Sequence, residues 1–263
     1  MSGKKKIGKI IFKIVMGILI AEIGCNFVMQ TISYSFYKAA KKMTDISCEP
    51  QYIQITDELT GYGYNLESDE NKVIIFFGGS NYIAYNSVGK YADKYECPFV
   101  SVDYYGTQDS KGKMNLESMQ KSATDLYDWV KQQYPQSEII VMGHSYGTGI
   151  ATYLASVREC KNLILAAGYR DISDLYNKMI PIFWGPCKKF ISNNICTAEY
   201  AKDVTCPVYV IGSTEDKTLD VALQEKLVDC FNDAELKVFD GISHEDYFIS
   251  KSVLEYIESG VGI

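Results

Sequence analysis

Glu138-Ile139-Ile140-Val141-Met142-Gly143-His144-Ser145-Tyr146-Gly147-Thr148-Gly149-Ile150 is the stretch on which the reading of this chain turns. Ile139 to Met142 form the unbroken apolar run of a strand buried on both faces, and Ile150 to Ala155 continue as a compact helix face. Between them, Gly143 to Gly147 have the spacing Gly-x-Ser-x-Gly. A serine on so sharp a strand-to-helix turn has strained backbone angles. Side chains two residues to either side would collide with neighbouring chain, so both flanks must be glycine. The turn lifts the Ser145 hydroxyl clear of the backbone and aims the first amide N–H groups of the new helix, that of Tyr146 among them, at whatever binds there.

Outward from this turn the chain alternates strands and helices. Upstream, Tyr52 to Ile55, Lys72 to Phe77 and Phe99 to Tyr104 read as strands, the second ending in Gly78-Gly79-Ser80. Residues 114–133 then place Leu116, Met119, Ala123, Leu126, Trp129 and Val130 at helical spacing opposite a polar face. Downstream come strands at Asn162 to Ala167, Val208 to Gly212 and Leu236 to Asp240. A helix near Val221 to Phe231 separates the last two, and a final helix carries Phe248, Val253, Leu254 and Ile257. The expected fold is α/β, a mostly parallel central sheet with helices on both faces. A chain of 263 residues suits one such domain, residues 46–263, behind an N-terminal basic segment and anchor, residues 1–45.

Residues 1–43 hold eight Lys and one Glu, a local charge of +7 against −14 for the remainder. So acidic a main domain argues against nucleic-acid binding. Residues 7–29 are apolar over a length that crosses a bilayer, for which about 20 residues suffice. Lys13 can snorkel toward the basic end, whereas Glu22 lies deep and is costly unless shielded. The first reading is an uncleaved signal anchor, with a cleaved or lipidated segment and a helix lying in the membrane interface as alternatives. Five lysines before and in the first turns of the run (Lys4, Lys5, Lys6, Lys9 and Lys13) place the N-terminus in the cytoplasm and the main domain on the extracytoplasmic side, while Lys38, Lys41 and Lys42 beyond it weigh the other way. Because the run lies outside the α/β pattern, a chain beginning near Thr44 is expected to be active without it.

Eight cysteines are too dilute for a disulfide scaffold, and none stands in a C-x-x-C or Cys/His cluster with metal spacing. No metal and no cofactor are expected. Cys97 and Cys206, each before proline at the mouth of an apolar strand, read as packing, and Cys187 and Cys196 as a pair able to bridge in an oxidising compartment.

A serine hydroxyl needs an adjacent base, usually a histidine oriented by a carboxylate. The chain has two histidines. His144 lies inside the turn and points away from the Ser145 hydroxyl, which leaves His244 as the base, in a polar loop after the last strand. The acid is expected on the loop after an earlier strand, where Ile211-Gly212-Ser213-Thr214-Glu215-Asp216 offers Asp216, with Glu215 as the competing carboxylate. Two backbone amides are needed for a developing oxyanion. Tyr146 is one, and the Gly78-Gly79-Ser80 loop is placed for the other.

The order Ser145, Asp216, His244 resembles that of the α/β-hydrolase superfamily. More narrowly, residues 50–258 resemble its membrane-anchored, short-capped serine hydrolases related to the S33 serine aminopeptidase-like group. Phe77-Gly78-Gly79 stands where that group has His-Gly-Asn, which implies Gly79 as the oxyanion donor, with Ser80 as the alternative. Asp103-Tyr104-Tyr105-Gly106-Thr107 with Ser110-Lys111-Gly112 is similar to its Asp-Tyr-Arg-Gly-Tyr-Gly-x-Ser-x-Gly segment, and Cys206 to Asp216 to its strand and acid loop. Phe77 for histidine and Tyr105 for arginine are departures that bear on pocket shape. Residues 169–200, with Tyr169, Met179, Ile182, Phe183, Trp184 and Phe190, resemble the group's short cap and are expected to line a small acyl pocket suited to short or medium chains. The resemblance implies hydrolysis of a small-molecule ester or thioester, with a serine peptidase of the same fold or an inert binding module as the other readings.

Overall fold

The computed structural model describes residues 2–191 and 194–263. Lys72–Phe77 (β3) and Glu138–His144 (β5) carry apolar side chains at nearly every position and lie side by side in the middle of the sheet, Lys72 opposite Glu138 and Phe77 opposite Gly143. Around them are β1 (Gln51–Gln54), β2 (Thr60–Tyr64), β4 (Phe99–Val102), β6 (Asn162–Ala166), β7 (Val208–Ser213) and β8 (Ala234–Phe239), in the order β1-β2-β4-β3-β5-β6-β7-β8. β1, β2 and β4 pair antiparallel, and every pairing from β4 through β8 is parallel. A parallel sheet covered on both faces must be apolar on both. Val73, Ile74, Ile75, Val141, Leu163 and Val210 are all fully buried, each such side chain contributing about 1.5–3 kcal/mol.

The strands expected from the sequence lie within two residues of their anticipated bounds, with one strand unanticipated. Thr60-Gly61-Tyr62-Gly63-Tyr64 has glycine at alternate positions, which lowers strand propensity. Close approach is the reason for them, since a Cβ on Gly61 would lie 2.3 Å from the Ser101 carbonyl oxygen of β4. The helices are α1 (Ser2–Ala39), α2 (Ala84–Tyr91), α3 (Leu116–Gln133), α4 (Gly147–Val157), α5 (Ile172–Met179), α6 (Thr197–Tyr200), α7 (Val221–Val228) and α8 (Lys251–Tyr256). α3 starts on a reciprocal cap: Asn115 Oδ1 accepts from the Ser118 N–H at 2.8 Å, and the Ser118 hydroxyl accepts from the Asn115 N–H at 2.9 Å. Phe248 falls in a 3-10 turn, Tyr247–Ile249, just ahead of α8.

α1 is long and apolar enough to cross a membrane. Its last turns, however, pack on the domain. Tyr37 is fully buried, its ring edge-on to Tyr104 at 5.9 Å and to Tyr146 at 6.0 Å. The segment that follows is pinned as well: the Asn86 side chain accepts from Met43 N–H at 2.8 Å and donates to the Lys41 carbonyl at 2.9 Å. The helix thus meets the domain expected to begin near Thr44, with Tyr146, the aromatic next to Ser145, packed on Tyr37. Glu22 is shielded too, at 1% exposure, beside Cys187 of the segment after α5. The neighbouring carboxylate raises the Cys187 thiol. No contact joins Cys187 to Cys196 among the described residues. The cysteine pair in contact is Cys160 and Cys206, sulfur to sulfur 3.0 Å.

Candidate active site

The turn between β5 and α4 has the strain its sequence requires, with Ser145 at φ +52°. A Cβ on Gly143 would lie 2.8 Å from Thr148 Cα, and one on Gly147 would lie 2.4 Å from the Phe77 carbonyl oxygen. Neither position accepts a side chain. The bend is held by Ser145 N–H donating to the Ala166 carbonyl at 2.9 Å, while the Thr148 N–H and hydroxyl donate to the Ser145 carbonyl at 3.0 and 2.6 Å.

Loops from the ends of β7 and β8 bring the other two side chains to Ser145. His244 Nε2 stands 3.0 Å from Ser145 Oγ, and His244 Nδ1 stands 2.8 Å from Asp216 Oδ2. A carboxylate only accepts, so Nδ1 carries the proton and Nε2 is left with its lone pair toward the serine hydroxyl. Asp216, 2% exposed, is satisfied on both oxygens: Oδ1 accepts from Thr218 and Leu219 N–H at 2.9 Å each, and Oδ2 also accepts from the Tyr247 hydroxyl at 3.0 Å. Burial pushes its pKa up, but the hydrogen bonds from His244 and these amides outweigh it and hold the carboxyl below its usual range. Glu215, the competing carboxylate, faces solvent. The Ser213 hydroxyl joins the two loops by accepting from Glu215 N–H at 3.3 Å and Ile242 N–H at 3.2 Å.

The loop after β3 lies against Ser145. A Cβ on Gly79 would sit 3.3 Å from Ser145 Cβ and 3.6 Å from its Oγ, so the Gly79 backbone runs beside the hydroxyl, and Tyr146 follows the serine at the head of α4. The two departures from the family pattern fall elsewhere. Phe77 is buried and stacked on Tyr104 at 6.4 Å, and the Tyr105 hydroxyl donates to Asp125 of α3 at 2.6 Å.

Two contacts escaped the sequence. Tyr247 lies three residues past the histidine, in a turn with no motif of its own. His144 does point away from the serine hydroxyl, but it points at His244: its Nε2 donates to the His244 carbonyl at 2.7 Å. Burial, then the neighbouring His244, pushes His144 down to about 3, so it stays neutral with its one proton committed to that carbonyl.

Above Ser145 opens a cavity of about 830 Å³, at the upper end of the roughly 300–1,000 Å³ typical of ligand pockets. Of the insert at 169–200, it is α5 that reaches it, through Ile172, Leu175 and Tyr176. Phe183 is instead packed beneath Tyr176, and Trp184 is 61% exposed on the outer surface. The side chains of Met179 and Phe190 lie outside the described residues. The expectation of a small pocket lined by Phe183 and Trp184 is therefore corrected, since a wall from outside the insert enlarges the cavity.

A family model described as alpha/beta hydrolase fold matches residues 74–191. The lysophosphatidylserine lipase ABHD12 of Danio rerio is 30% identical over 147 residues, which are 49% of this chain and 38% of that protein. The alpha/beta hydrolase domain-containing protein aho-3 of Caenorhabditis elegans is 27% identical over 169 residues, 62% of this chain and 48% of that one. The chain thus spans less than half the length of either relative. Among solved structures, the esterase Pf2001 of Pyrococcus furiosus superposes with a TM-score of 0.59 at 19% identity, over 85% of this chain and 94% of that one. The acylaminoacyl peptidase of Pyrococcus horikoshii superposes with a TM-score of 0.58 at 18% identity, over 82% and 42%. At those identities the two structures share the fold with this chain. With an eight-stranded, mostly parallel sheet, a serine on the strained turn after β5 and the matching family model, the chain has the α/β-hydrolase fold.

Proposed function

We propose that this chain is a serine hydrolase that cleaves carboxylic esters or thioesters through an acyl-enzyme, with Ser145 as nucleophile, His244 as base and Asp216 as the orienting acid. The observation that carries the reading is the unbroken hydrogen-bonded relay from Ser145 Oγ through His244 to Asp216. As Ser145 Oγ bonds to the acyl carbon, His244 Nε2 takes the hydroxyl proton and Asp216 stabilises the imidazolium. The carbonyl oxygen becomes an oxyanion, for which the Gly79 and Tyr146 amides are the donors. Collapse breaks the bond to the alcohol or thiol, which leaves with the proton from His244, and water then repeats the sequence to release the acid. His144 holds the backbone of the base and takes no part in proton transfer.

A mostly apolar cavity beside the nucleophile supports an acyl chain as the group bound there, and the relationship to lysophosphatidylserine lipases supports a lipid ester as the class. α1 tethers the domain to a membrane in this reading, with the domain on the extracytoplasmic side. The test is labelling by a fluorophosphonate probe together with turnover of p-nitrophenyl esters. The wild type should do both and folded Ser145→Ala neither. Undiminished ester turnover by Ser145→Ala sinks the assignment.

A further inference from the structure

The cavity over Ser145 has walls of different origin. One is α5; the other is α1 and the chain just after it, through Met29, Ile32, Ala40 and Met43. α1 is also the helix fit to cross a membrane. From Ile7 to Val28 its outer faces are apolar except for the exposed Lys9 and Lys13 near the basic end, with Ile11, Phe12, Ile18 and Phe27 each more than half exposed. At 1.5 Å per residue that stretch measures about 33 Å, against about 30 Å for the hydrocarbon core of a bilayer. Met29 and Ile32 therefore fall where acyl chains give way to headgroups, just past the last lipid-facing residue.

Two further observations put the cavity mouth at that level. The turn Gly185–Phe190 leans on α1, with Cys187 at Glu22, six residues before Val28, so this part of the insert dips past the headgroup level into the hydrocarbon beside the cavity. Beside it Trp184 presents its ring outward at 61% exposure, an aromatic placed for the membrane–water interface. Ile32 is 41% exposed while also lining the cavity, whereas Met29 is buried against the domain.

We propose that α1 is the membrane-side wall of the acyl pocket, and that the ester bound there carries one long acyl chain which slides in from the bilayer along Met29 and Ile32. The inference rests on the reading of Ser145 as the nucleophile. An apolar chain taking this route moves from lipid to protein without crossing water, and the helix that fixes the domain at the membrane also sets how much chain the pocket holds.

The test uses the full-length protein in phosphatidylcholine vesicles with p-nitrophenyl esters from C4 to C16. In the wild type, kcat/KM should rise by up to about fourfold per carbon until the pocket is full. Ile32→Trp and Met29→Trp should lower it at least tenfold for C12 and C16 and less than twofold for C4. Ile23→Trp, on the lipid-facing side of the same helix, should leave the profile unchanged. Fluorophosphonate labelling at the wild-type rate shows the site of each variant intact, and where a Trp variant fails to fold, Ile32→Ala should instead shift the optimum to a longer chain. Equal losses at C4 and C16, or no change in the profile, overturn the wall. A fluorogenic long-chain monoacyl ester placed in the enzyme's own vesicles should turn over without the lag seen when it starts in separate vesicles, and equal time courses overturn the bilayer route. A wild type that neither hydrolyses the C4 ester nor is labelled at Ser145 removes the hydrolase reading itself, and the wall with it.

Discussion

The Tyr247 hydroxyl donates a 3.0 Å hydrogen bond to Asp216 Oδ2, the oxygen that also accepts the Nδ1 proton of His244. Two donors on one oxygen fix the carboxylate plane and with it the imidazole. A hydrogen bond to a charged acceptor contributes about 1.5–3 kcal/mol, so Tyr247→Phe should lower kcat by about tenfold or more with little change in KM. An unchanged kcat shows that the backbone amides of Thr218 and Leu219 hold the acid unaided.

Asp216 is buried and bonded to the base, whereas Glu215 faces solvent one residue away. Asp216→Asn leaves the shape but favours the wrong tautomer of His244, and should cost about 10⁴ in kcat. Glu215→Gln should stay within twofold of the wild type in the same ester assay. The reverse ranking assigns the acid to Glu215.

Gly147 has no room for a methyl group, which would lie 2.4 Å from the Phe77 carbonyl oxygen and 2.5 Å from that of Gly78. Both obstacles are backbone, so relief comes only by moving the loop that carries Gly79. Gly147→Ala should cost about 1–3 kcal/mol of stability and a larger fraction of activity than of folded protein. Urea titration and active-site labelling of the same sample check the pair of effects, and a variant of wild-type stability contradicts the packing.

Asp103 is buried at the end of β4, where its Oδ1 accepts from the Ala84 N–H at 2.7 Å. Burial pushes its pKa up to about 7, the Ala84 N–H opposing; Asp109 adds to the rise and Lys42 reduces it. An unfolded aspartate ionises near 3.9, so between about pH 4 and pH 7 the folded chain keeps a proton that the unfolded chain has lost. This contribution to stability is full below that window and is lost as pH rises through it. Asp103→Asn keeps the acceptor and removes the titration, so its Tm should fall less than that of the wild type between pH 5 and pH 8. Parallel Tm curves place the pH dependence elsewhere.

What could be read from the residues was whatever repeats at short range. Lys72–Phe77 and Glu138–Met142 announce buried parallel strands by composition, and Gly143 and Gly147 announce the turn because only glycine fits there. Thr60–Tyr64 was hidden because its Gly61 answers to the Ser101 carbonyl, a neighbour forty residues away in sequence. Distance hid Tyr247 and the role of His144 in the same way, since each matters through a partner that only the assembled loops supply. The apolar run of α1 read as membrane and nothing more. Its buried residues, Glu22, Asn26, Met29 and Tyr37, recur every three to eight positions along one side of the helix, but a stripe that mixes polar and apolar residues is inconspicuous within so apolar a run.

The bond from His144 to the His244 carbonyl ties His244 to the residue beside Ser145, and the Ser213 hydroxyl ties the loop of His244 to the loop of Asp216. The ends of β5, β7 and β8 are thereby cross-braced, and a disturbance at any one reaches the same gap between Ser145 Oγ and His244 Nε2. Losses of this kind do not add. Once His144→Ala has loosened that gap, Ser213→Ala has less left to remove, so the double variant should fall short of the sum of the two singles. The braces behave as one mechanical part distributed over three strands.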